Sequence, residues 1–183
     1  MKTLRLLALA ALAGVAMIAV GGCNPESTRA ILTIQSINDG NAYFSDLINE
    51  ADTSKVFIPV DEVPVVLGNI QNDGGQPLAP GTPFSDIILT GYSVVYENGI
   101  YSPVYGGLSG HVASGGSTQI SIILSNSSEK GALLYSLSGT VTTTALITIN
   151  GFVQANGGNN GDPVHAIGRL TVQVGNFGDG SNR

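Results

Sequence analysis

The chain has 183 residues, thirteen acidic against seven basic for a formal net charge of −6, and only 11% of its residues are charged. Phosphate-backbone binding needs clustered cations, so this acidic balance argues against a nucleic-acid partner. A single cysteine excludes an intramolecular disulfide, and stability must come from burial and backbone hydrogen bonds.

In chain order, Met1-Lys2-Thr3-Leu4-Arg5 supplies a short basic start, and residues 6–20 carry no charged or polar side chain. Val20-Gly21-Gly22 and then Cys23 follow. A secretory signal needs a charged start, an apolar core and a small-residue site, all present here. A membrane-spanning helix needs about 20 apolar residues; residues 6–22 fall short of that, and Pro25 breaks any extension. The order resembles the signal peptide of bacterial lipoproteins, with Val20-Gly21-Gly22-Cys23 as the lipobox, although leucine is commoner than valine at its first position. The resemblance implies cleavage before Cys23 and lipidation of Cys23, with the membrane as a partner through its acyl chains. Plain secretion and a retained membrane anchor are the alternatives. Losing residues 1–22 removes Lys2 and Arg5, leaving five basic residues against thirteen acidic, a net charge of −8. The five, Arg29, Lys55, Lys130, Arg169 and Arg183, are scattered.

Residues 23–28 read as the lipidated cysteine and a short polar tether, 29–177 as one domain, and 178–183 as a tail. A domain of this size buries a substantial core. Short β-branched runs separated by Gly, Asn, Asp and Pro clusters predict an all-β, two-layer antiparallel sandwich of about seven to nine strands. Ala30–Ile37 reads as the first strand, ending at the turn signal Asn38-Asp39-Gly40. Residues 43–55 are ambiguous between a loop and a helical turn capped by Ser45-Asp46. Residues 56–70 hold one or two strands, with Pro59 and Pro64 pointing to an edge because proline cannot donate to the ladder. A Gly/Pro loop spans 72–83.

Residues 87–97 form a strand, Asn98-Gly99 a hairpin turn and 100–105 the return. A short strand over 108–113 and a turn at Ser114-Gly115-Gly116 precede 118–124, where Ile120, Ile122 and Leu124 share a face. Over 141–153, Val141, Thr143, Ala145, Ile147 and Ile149 face one way. The last strand turns Val164, Ala166, Leu170, Val172 and Val174 inward. Asp61-Glu62-Val63-Pro64-Val65, Thr90-Gly91-Tyr92-Ser93-Val94-Val95-Tyr96, Gly106-Gly107-Leu108-Ser109 and the ending Gly175-Asn176-Phe177-Gly178-Asp179 are together similar to small bacterial lipoproteins with a single immunoglobulin-like domain. That resemblance implies an immunoglobulin-like sandwich and an envelope anchor, and it carries no catalytic residue.

Motifs for chemistry are sparse. Gly107-Leu108-Ser109-Gly110-His111 misplaces the second glycine of a nucleophile elbow and no helix is predicted after it. His111 and His165, the only histidines, are too few for a zinc site without a thiol. Ser114-Gly115-Gly116-Ser117-Thr118 lacks the lysine of a phosphate loop. Asn156-Gly157-Gly158-Asn159-Asn160-Gly161-Asp162 superficially resembles a calcium loop but holds one carboxylate, and a hairpin connection explains it. No catalytic set, metal or cofactor is therefore expected. Asp61 and Glu62, adjacent on a strand, point to opposite faces and cannot form a carboxylate pair.

One cluster has a geometric basis. A two-residue turn at Asn98-Gly99 pairs Tyr96 with Tyr101 and Tyr92 with Tyr105, setting all four tyrosines on one hairpin face. Cross-strand aromatic pairing or core packing is the plainer reading; if exposed, the face is a candidate protein-interaction patch. The expectation is a non-enzymatic, lipid-anchored cell-envelope module with a structural or protein-binding role. Alternatives are a small-ligand or glycan binder using the Gly/Asn-rich loops, and a hydrolase, for which no set is visible. In the lipoproteins that the signal resembles, an aspartate after the cysteine often marks inner-membrane retention; Asn24 is not aspartate, so by that resemblance the outer membrane is preferred in a two-membrane host.

Overall fold

A computed structural model describes residues 30–49, 56–72, 85–154 and 160–177. The expected signal segment, Cys23, the expected tether, most of the 156–162 loop and the 178–183 tail lie outside the described residues. Eight strands, one α-helix and a 3-10 turn at Asn38–Gly40 are present among the described residues: β1 (Ala30–Ile37), β2 (Tyr43–Asp46), β3 (Asp61–Gln71), β4 (Ile87–Tyr96), β5 (Val104–Val112), β6 (Ser117–Ser125), α1 (Ser127–Leu134), β7 (Val141–Gln154) and β8 (Asn160–Gly175). The fold is all-β, with two packed sheets. One is three-stranded, ordered β1-β3-β6, and the other five-stranded, ordered β2-β8-β7-β4-β5.

Alternation on β7 and β8 sets the floor of the core. Thr143, Ala145, Ile147 and Ile149 are buried, as are Val164, Ala166, Leu170, Val172 and Val174. Val63, Val65 and Leu67 on β3 and Ile122 and Leu124 on β6 meet them from the opposite sheet. Side chains two apart on a strand share a face, which is why these runs bury as sets. On β4 the buried set changes parity, from Ile87 and Leu89 to Tyr92, Val94 and Tyr96. A register shift between Leu89 and Gly91 accounts for this: one extra residue moves every later side chain to the other face.

Three sequence expectations are corrected. The five-stranded sheet is mixed rather than antiparallel, because β2 runs parallel to β8, with Tyr43 opposite Val172 and Asp46 opposite Gly175. The ambiguous 43–55 stretch thus opens with a strand. β3 is the central strand of its sheet despite Pro64. Pro64 pairs with Ser121 of β6, and the β1 pairing has ended at Ile37–Val65, so β3 has one neighbour at that point. Helix α1 was not anticipated. It is capped by Asn126, whose Oδ1 accepts from the Glu129 N–H at 3.2 Å, and Glu129 in the first turn suits the helix dipole.

The hairpin register also differs. β4 ends at Tyr96 and β5 starts at Val104, so the connection spans 97–103. Gly99 adopts φ +65° and donates its N–H to the Tyr96 carbonyl. Asn98 Oδ1 then accepts from Thr143 Oγ1 (2.7 Å) and the Ile100 N–H (3.2 Å), tying the turn to β7. Tyr92 faces Gly106 and Ser93 faces Tyr105, one residue away from the two-residue-turn register. Glycine at 106 is required by the Tyr92 ring: a Cβ there would stand 2.1 Å from Tyr92 Cε1. Gly106→Ala should therefore lose about 1–3 kcal/mol of stability through overpacking, measured as a lowered urea midpoint. A midpoint equal to that of the parent would show the ring to be freely displaced.

Candidate functional site

The four tyrosines do not form one face. Tyr92, Tyr96 and Tyr101 are buried, whereas Tyr105, shifted by the longer connection, is 76% exposed. Two of the buried three fasten one sheet to the other. Tyr92 OH accepts the Ile123 N–H at 3.1 Å and Tyr96 OH donates to the Leu124 carbonyl at 3.2 Å, both on β6. Strand β6 is an edge of its sheet, so these phenols occupy backbone groups that no strand takes up. Tyr101, in the connection, stacks edge-on against Tyr96 with ring centroids 5.1 Å apart. The core-packing alternative describes three of the four residues.

Tyr101 leads to a polar cluster that the sequence reading missed. Its centre is Asp61, at the start of β3 and 2% exposed. Asp61 Oδ1 accepts from Lys130 Nζ (2.5 Å) and Tyr43 OH (3.3 Å). Asp61 Oδ2 accepts from Ser45 Oγ (2.5 Å) and Ser125 Oγ (2.6 Å). The Ser45 hydroxyl has one proton and gives it to the carboxylate, so in its 2.9 Å contact with Tyr101 OH the tyrosine is the donor. Lys130 Nζ also donates to the Asp46 carbonyl at 2.8 Å. Lys130 is fully buried, as are Ser45 and Ser125.

The local structure explains how a lysine reaches this depth. Asn126 starts α1 directly after β6, and the Ser102 N–H donates to Glu129 Oε1 at 3.0 Å, holding the helix against the 97–103 connection. Gly131 admits Ile58, whose Cδ1 lies 3.3 Å from where a Cβ would be. Lys130 then points beneath the helix, between β2 and β3. Asp61 is directed inward while Glu62 is exposed, the opposed pair expected of adjacent strand residues, with a register shift between them.

Electrostatics follow from burial. Burial pushes the Lys130 ammonium below the ordinary lysine range, opposed by its bond to Asp61 and the charges of Asp61 and Asp46. Burial, with the nearby Asp61 charge, pushes the Tyr43 phenol up to about 12. Tyr101 also rises to about 12 through burial, with its Ser45 bond opposing and Asp61 adding. Burial drives Tyr96 upward too.

Such a set of lysine, aspartate, serines and tyrosines resembles catalytic machinery in composition but not in accessibility. Both carboxylate oxygens carry two donors each, and Lys130, Asp61, Ser45 and Ser125 are buried, with Tyr43 half-buried at the margin. The arrangement joins β2, β3, β6 and α1 through one carboxylate. Elsewhere, His111 is exposed on β5 opposite Ile88, and His165 is exposed on β8 opposite Asn150. A groove of about 440 Å³ lies between β1 and β8, lined by Ile34, Ile37, Ala42, Ile167 and Arg169 among others. Gly168 in that groove allows the two strands to approach, since a Cβ would meet Ile37 Cδ1 at 2.6 Å.

Breaking a buried ion pair from one side leaves an uncompensated charge, so Lys130→Met should cost about 3–5 kcal/mol. The Asp61→Asn/Lys130→Met double variant should recover part of that loss in urea unfolding; strict additivity would contradict a coupled pair. The tyrosines supply a pH test. The fold raises Tyr43 and Tyr101 from 10.0 to about 12, so their contribution is full below pH 10 and is lost as pH rises from 10 to 12. Stability should fall across that window, and less steeply in Tyr43→Phe and in Tyr101→Phe. Identical slopes in both variants and parent would exclude these phenols as the cause.

No family model matches the sequence, and no curated protein matches it. Among solved structures, the solution structure of a late embryogenesis abundant (LEA) protein is similar at a TM-score of 0.42 and 11% identity, covering 93% of this chain and 85% of that one. A likeness at that score carries no inference about role.

Proposed function

We propose that the protein is a lipid-anchored component of a bacterial cell envelope, acylated on Cys23, whose domain acts without catalysis as a structural or protein-interaction module. The observation that carries this reading is the junction of processing signal and fold. A basic start, an apolar run and Val20-Gly21-Gly22-Cys23 are followed, seven residues after the cysteine, by the first residue of β1. The non-catalytic part is supported by the burial of Lys130, Asp61, Ser45 and Ser125. Outer-membrane location is the preferred reading, on Asn24.

An immunoglobulin-like assignment belongs to the same reading. It is supported by the strand order, in which β1, β3 and β6 match the A, B and E positions of such a sandwich. β4, β7 and β8 match C, F and G, with β5 added beside β4.

Cys23→Ser tests the anchor directly. The parent should partition into a detergent phase and carry acyl mass on its N-terminal residue. The variant should lose both and fractionate as a water-soluble protein. Retention of the variant in the membrane with its signal removed would overturn the anchor.

A further inference from the structure

The two ends of the sandwich differ in a way that bears on how an anchored domain sits. Ala30 pairs with Gln71, so the chain enters β1 at the end where β3 finishes. Asn69 Nδ2 donates there to the carbonyls of Ser85 (2.7 Å) and Val112 (3.0 Å), and the Ser114 N–H donates to Asp86 Oδ1 (2.9 Å). The starts of β4 and β6 and the end of β5 therefore share this end. Lys130, Asp61, Tyr101 and α1 occupy the opposite one, since Asp61 begins β3 and pairs with Ser125 at the end of β6.

Cys23 is seven residues from Ala30, a reach of at most about 25 Å when fully extended. The sixteen-residue β8 spans about 50 Å. A tether shorter than the domain keeps the Ala30 end the nearer to any membrane holding Cys23. On that end Ile31 and Ile70 are cross-strand partners, 42% and 54% exposed, on the outer face of the three-stranded sheet. Charge is distributed to suit. Among the described residues the carboxylates near this end are Asp86 and Asp162, whereas Glu62, Glu129 and Glu97, the last beside Arg169, lie toward the other. An acidic domain avoids repulsion from anionic headgroups by turning its carboxylate-rich end away.

We propose that the domain rests on the lipid surface through its Ala30 end, with the Ile31–Ile70 pair at the headgroup–acyl boundary and α1 facing away. This seating rests on acylation of Cys23. It makes the α1 end, with Tyr135 91% exposed after the helix, the part of the domain presented to the aqueous compartment.

Acylation consumes the native thiol, so one introduced cysteine labels uniquely. Full-length acylated protein carrying Ile70→Cys or Tyr135→Cys, labelled with a fluorophore, is placed in phosphatidylethanolamine–phosphatidylglycerol vesicles containing headgroup-quencher lipid. Emission from position 70 should be quenched several-fold more than from position 135. Equal quenching, or stronger quenching at 135, overturns the seating; so does lipid-independent shielding of position 70 by a second copy. A reporter at Ser117→Cys combined with Ile31→Asp/Ile70→Asp should lose most of its quenching while detergent-phase partitioning persists; undiminished quenching overturns the role of the pair. Absence of acyl mass on Cys23 overturns the anchor and the seating together. Acylated protein with equal quenching overturns the seating alone.

Discussion

The carboxylate of Asp61 is where the fold is joined. Four donors converge on its two oxygens, from β2, from β6, and from the helix that follows β6. Apolar contacts between the sheets are non-directional and permit small slips at modest cost. A buried charge does not, because any partner that moves away leaves desolvated polarity behind. The Ser125 bond to Asp61 therefore favours one register of β3 beside β6, and the Lys130 bond fixes where α1 ends its approach. Replacement by apolar residues of equal volume could be as stable; what it would forfeit is the directional constraint.

The tyrosines extend this arrangement toward the β4 side. Tyr96 and Tyr92 reach from the five-stranded sheet to the backbone of β6, and Tyr101 passes a hydrogen bond from the 97–103 connection to Ser45. The same side chains give the core apolar ring area and give an edge strand its missing backbone partners. Tyr105, one register step away, does neither and faces solvent. A single extra loop residue separates these two outcomes, since strand faces alternate with a period of two.

That parity explains what the amino-acid sequence made legible. The long alternations of β7 and β8 were readable because each extends over many residues with one apolar face. That Asp61 and Glu62 point to opposite faces was readable from adjacency alone; which of them faces inward was not. The parallel pairing of β2 was not, because four residues carry no periodicity and their partner lies more than 120 residues away. Helix α1 had a local signal, Asn126 followed by Glu129 in a capping spacing, but Gly131 and the serines weaken its pattern. The Lys130 cluster draws on residues 45, 61, 125 and 130, which only the folded chain brings together. A lone lysine just ahead of Ala132-Leu133-Leu134 was its one trace.

β1 and β2 are consecutive in the chain yet belong to different sheets. Tension applied through the N-terminal segment arrives at Ala30 and runs along the axis of β1. It loads the β1–β3 ladder in shear, so its hydrogen bonds resist together rather than opening one after another. If β1 were stripped away, the force would pass through the Asn38–Gly40 turn to β2, held by its ladder to β8 and by Ser45 on Asp61. The entering chain is thus clasped twice, once by each layer, and a domain tugged from its root meets a second mechanical stop after β1, with Ala30, Leu32 and Ile37, has left the core.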